Sequence, residues 1–153
     1  MDSREVIDRE ITSLKLEEKI SLVSLHKYEP ILKEVISRFT TLGKGAESKL
    51  WLWENFKEPI ASAQPYDAIE MLRALVPPNE QVWFIAEDFC RTKKNGNFWL
   101  YEGTVGPICT LLDNLQSFEL YLASKKYEWL LCINHHQVVI ASGGEMPEKL
   151  IAA

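Results

Sequence analysis

Cys132, Ile133, Asn134, His135 and His136 form the only clustered set of soft metal ligands in the sequence. A structural zinc site needs Cys and His side chains converging tetrahedrally on one point, and this run supplies three such ligands. If it is a strand, Cys132 and Asn134 project to one face and Ile133 and His135 to the other, so the thiol reaches both histidines only if the turn folds it there. The run therefore reads as a hairpin turn bearing Asn134, His135 and His136 beside a buried thiol. No metal is assigned, and a small enzyme or metal-binding domain built on His135 and His136 is the alternative.

The same imidazoles titrate near neutrality and suit general acid or base chemistry, with Glu87, Asp88 or Glu102 on neighbouring strands as groups that could orient them. The other elements of a catalytic pattern do not appear. There is no Gly-x-Ser-x-Gly elbow, no pair of carboxylates at a diagnostic spacing, and no base beside Cys132. Gly43-Lys44-Gly45 lacks the spacing of a phosphate loop and follows a helix, so it reads as a helix stop. No catalytic residue and no cofactor is assigned.

Aromatic residues are the other conspicuous set: Trp51, Trp53, Trp83, Trp99 and Trp129, with Tyr101 and Tyr121. On alternating strand faces some of them must leave the core unless helices cover both faces of the sheet, and exposed aromatics anchor protein interfaces. Acidic residues, Glu80, Glu87, Asp88, Glu102 and Glu119, gather near strand ends, where ordinary solvation is the default reading and an acidic rim for a basic partner the alternative. The expected binding residues are accordingly Asn134, His135, His136, Trp99, Tyr101, Glu87 and Glu102. An uncovered sheet face would also suit a homo-oligomer.

The elements that must hold these residues follow from periodicity. Ile7, Ile11 and Leu14, then Leu16, Ile20 and Val23, recur at helical spacing up to about Leu25 after the caps Asp2 and Ser3. Pro30 with Ile31, Leu32, Val35, Ile36 and Phe39 marks a second helix, and Pro65 opens a third over Tyr66 to Leu75. Leu50 to Trp53 reads as a short strand from its aromatic content. From Gln81 the period changes: 81–87 and 97–102 pair across Asn95-Gly96. Ile108 to Leu115 is a helix, and 118–123, 128–133 and 137–141 are further strands before a helical tail from Pro147. The fold class is α+β, with N-terminal helices followed by a mostly antiparallel sheet of about five strands and one interrupting helix.

Length and composition set the frame. A chain of 153 residues buries about 70% of its unfolded surface around one core, so 1–153 reads as a single domain. Hydrophobic residues make up 46% and charged residues 25%, the balance of a globular chain. The first ten residues are charged where a secretory signal is apolar, and no run reaches the roughly 18 residues of a membrane helix. Three widely spaced cysteines, Cys90, Cys109 and Cys132, suit free buried thiols and a cytoplasmic location. A net charge of −5 disfavours nucleic acid and favours a basic protein partner.

The stretches Val82–Glu87, Phe98–Gly103 and Phe118–His136, ending in Asn-His-His, resemble a family of small uncharacterised bacterial proteins. Helices leading into a mostly antiparallel sheet also resemble the SMI1/KNR4-like (SUKH) immunity proteins. The second resemblance implies a non-enzymatic protein that binds and neutralises a toxin domain.

Overall fold

The computed structural model describes residues 2–42, 52–88, 98–115 and 119–153. The fold is α+β, with five α-helices and a seven-stranded antiparallel sheet among the described residues. Helix α1 (Ser3–Ser13) starts where the Asp2 carboxylate accepts the Glu5 N–H at 2.9 Å, and it buries Ile7 and Ile11, one turn apart. Helix α2 spans Leu25–Phe39 and carries Pro30 inside it. Helix α3 (Ala68–Leu75) is capped by Asp67, whose Oδ1 accepts from the N–H groups of Ile69 and Glu70, so it opens two residues later than the expected start at Tyr66. Helices α4 (Val105–Asp113) and α5 (Met146–Ala152) complete the set.

The strands are β1 (Ile20–Leu22), β2 (Ile60–Ala63), β3 (Gln81–Glu87), β4 (Phe98–Thr104), β5 (Leu120–Ser124), β6 (Leu130–Ile133) and β7 (Val139–Ser142), in the sheet order β1-β4-β3-β5-β6-β7-β2. The expected sheet had about five strands, all from the second half. The two additional ones come from the first half and form both edges of the sheet.

Strand β1 replaces the end of the expected first helical stretch. Ile20, Ser21 and Leu22 pair with Gly103, Glu102 and Tyr101, and the Val23 N–H extends the ladder to the Leu100 carbonyl at 2.9 Å. An available sheet edge outweighs helical spacing over so few residues, since propensity is a weak prior. Gly103 is what admits β1: a Cβ there would stand 2.5 Å from the Lys19 carbonyl oxygen. The expected strand at Leu50–Trp53 is also corrected in its described part, because Leu52–Asn55 is a 3-10 helix. Leu50, Trp51, Phe118, Cys90, Gly43-Lys44-Gly45 and the Asn95-Gly96 turn lie outside the described residues.

Both faces of the sheet are covered. On one side α1, α3, α4 and α5 pack Ile7, Leu72, Ile108 and Leu150 against Val82, Phe84, Leu122, Leu131 and Ala141. On the other, α2 packs Leu32, Val35, Ile36 and Phe39 against Ile85, Tyr121, Ala123, Cys132 and Ile140. Alternation along a strand therefore divides residues between two cores, and β5, β6 and β7 are buried at every position. Tyr101 and Tyr121 are fully buried, each in one of the two cores. Among the described residues, no helix is long and apolar enough to cross a membrane.

Candidate functional site

The register carries four of the seven expected binding residues to one end of the sheet. Ala86 pairs with Leu120, and Leu120 with Ile133. One step further on, the Glu87 N–H donates to the Glu119 carbonyl at 3.1 Å. Glu87, Glu119 and Asn134 thus form a cross-strand row, on the α2 side because each lies two residues beyond Ile85, Tyr121 or Cys132. All three are buried.

Asn134 builds the turn between β6 and β7. Its N–H donates to the Val138 carbonyl, and its carbonyl accepts from Gln137 at 2.9 Å. Its side-chain Oδ1 accepts from the N–H groups of His136 and Val138, at 2.9 and 3.0 Å. Gln137 closes the turn with φ of +63°, the left-handed residue that ends a type I hairpin turn. Asn134 is therefore a positioning residue, inaccessible to a ligand, and its role is to project His135 and His136.

His135 bends back over the sheet end. Its N–H donates to Glu119 Oε1 at 3.1 Å, and its ring Nδ1 meets the same oxygen. The imidazole is 39% exposed and the carboxylate 5%. The His136 ring lies against that of His135, with centroids 3.9 Å apart. The partner is Glu119 and not Glu87, Asp88 or Glu102, because only residue 119 stands directly across from the turn on the neighbouring strand. A single Glu immediately before the strand β5 was the available signal. Below the pair, burial first and then the charges of Glu119 and Glu87 push the Cys132 thiol well above its ordinary value.

The other three expected residues are elsewhere. Trp99 and Tyr101 face the α1 side. The Trp99 indole N–H donates to Asp88 Oδ2 at 3.3 Å, with the Arg4 guanidinium 5.4 Å from the ring centroid. The Tyr101 hydroxyl donates to Asp8 Oδ1 at 2.8 Å, and burial followed by that bond pushes its pKa well above the ordinary phenol value. Glu102 stands beside Trp83, four residues along β4 from the Glu87 row, or about 13 Å at the usual rise per residue. It binds Lys125 Nζ at 2.6 Å, and that ammonium lies 3.2 Å from the Trp83 ring centroid.

Gln64, which has no part in the expected site, adjoins the turn. The Gln64 amide donates to the His136 carbonyl at 3.2 Å, because β2 pairs Ala63 with Val139. Two positions further, Tyr66 is wholly exposed. Among the described residues no group of three His, Cys, Asp or Glu side chains is placed to hold a metal ion.

Comparison with curated proteins and with solved structures finds no match. Over residues 1–153 the chain matches the model of a family of unknown function, DUF6756, and it belongs to that family.

Proposed function

We propose that this chain is a non-enzymatic protein-binding module, acting in the bacterial cytoplasm, whose recognition surface is the β6–β7 turn together with Tyr66, two residues beyond the Gln64 that binds it. The supporting observation is the exposed turn that projects His135 and His136, bound by the Gln64 amide two residues before the wholly exposed Tyr66. A tyrosine of this kind contributes large contact area with little side-chain freedom to lose, which is why such residues anchor interfaces. With both sheet faces covered, recognition moves from the sheet to its end. The charge of −5 suits a basic partner, and the resemblance to SMI1/KNR4-like immunity proteins makes a toxin domain the partner class to seek.

Affinity capture from the native host at physiological salt tests this. A defined basic protein should be recovered with the wild-type chain and depleted at least about tenfold with Tyr66→Ala/His136→Ala. Recovery of the chain alone, or equal capture by the double variant, removes the reading.

A second reading is favoured by one contact, that of Glu119 with His135 Nδ1. A buried carboxylate that fixes an imidazole by Nδ1 is the orienting half of a general-base pair. Turnover of a panel of chromogenic carboxylic and phosphoric esters, lost on His135→Ala, would establish it, and no turnover removes it for that chemistry.

A further inference from the structure

We propose that the Glu119 carboxylate is a receptor for the guanidinium of an arginine presented by the protein partner, with the His135 imidazole as the plug which that arginine displaces. This rests on the protein-binding reading and names the chemistry at its centre.

Glu119 is 4% exposed, and its Oε2 is buried without a hydrogen-bond partner. Its Oε1 accepts the His135 N–H and meets the His135 ring. An ionised carboxylate offers about four acceptor positions, and withdrawing it from water without donors is costly. One oxygen is therefore served twice and the other not at all, so a donor is missing on one side only. Glu87, directly across from Glu119, adds to the negative potential there, and the field of both carboxylates reaches the Cys132 thiol.

The missing donor has a definite shape. A guanidinium presents two parallel N–H groups that match the two oxygens of one carboxylate, whereas an ammonium meets them as a single point. The way in is the imidazole itself, since it is half-exposed and stands on a turn at the end of the sheet. Swinging it into solvent breaks its contact with Oε1. An arriving guanidinium replaces that contact and supplies the donor that Oε2 lacks, while the His135 backbone N–H stays in place.

The probe is N-acetyl-arginine methylamide, titrated into the full-length protein while the His135 ring resonances and the Glu119 carboxyl carbon are followed by NMR. The lysine and citrulline analogues run in parallel. The proposal expects a saturable shift of both groups with a dissociation constant on the order of 10 mM, weaker by several-fold for lysine and absent for citrulline. Glu119→Gln should abolish it, and His135→Ala, which removes the plug, should tighten it; an unchanged amide spectrum confirms that each variant is folded. No saturable shift, an equal response to citrulline, or binding that survives Glu119→Gln overturns the proposal. If a captured partner is lost with Tyr66→Ala/His136→Ala but kept with Glu119→Gln, the binding surface stands and the arginine site falls.

Discussion

His135 and Glu119, sixteen residues apart, meet twice on one oxygen: the backbone N–H and the ring nitrogen of His135 both address Glu119 Oε1. The pairing makes the exposed partner the one on which stability depends. Removing the imidazole leaves a buried carboxylate with one donor fewer, at a cost of about 1–3 kcal/mol. Replacing the carboxylate by an apolar group of similar size removes the unserved oxygen along with the bond. His135→Ala should therefore lower the urea midpoint, while Glu119→Met should leave it unchanged or raise it. A large loss for Glu119→Met would show that the carboxylate is retained for stability.

Asn134 should matter to stability through two bonds. Asn134→Ala frees the N–H groups of His136 and Val138 from Oδ1, an expected loss of about 1–3 kcal/mol. Gln137→Gly, at φ of +63°, should act in the opposite direction by up to about 1 kcal/mol, because glycine adopts that conformation without a Cβ clash. Urea unfolding of both variants decides the signs.

Gly103→Ala should detach an edge strand. The new Cβ meets the Lys19 carbonyl oxygen at 2.5 Å, which forces β1 away from β4 at a cost of about 1–3 kcal/mol. Amide exchange should accelerate at Ile20–Leu22 and not at β5 or β6, and uniform acceleration would refute the local account.

Stability should fall in alkali. Burial pushes the Cys109 thiol up to about 11, and burial raises Cys132 in the same direction. Between the ordinary thiol value near 9 and the folded value, the unfolded chain releases protons that the folded chain keeps, so raising pH favours unfolding. Urea midpoints should decline from pH 9 to 11, and less steeply in Cys109→Ala. Both thiols, which are free and buried, should resist alkylation in the native state and react once the chain unfolds.

The sequence carried the class of fold and most of its elements. Helical spacing located α1 and α2, and the β-rich run at 81–87 is β3 to the residue. The Asn-His-His turn was legible because polar turn residues separate two apolar runs. The edge strands were not legible. Three or four residues carry no decisive period, and β1 and β2 exist because β4 and β7 offer unpaired edges.

The candidate site divides along the same line. The sequence by itself determined that Asn134, His135 and His136 sit on a turn, since that depends on neighbours in the chain. Only the tertiary structure decided that Glu119 faces them, that Trp99 and Tyr101 look the other way, and that Glu102 lies at the far end. The physical reason is register: which residues stand across from one another is set by strand pairing and by which of two buried faces each side chain enters. With helices on both faces, hydrophobic residues occupy both sets of alternating positions, and the pattern that would reveal facing disappears from the sequence.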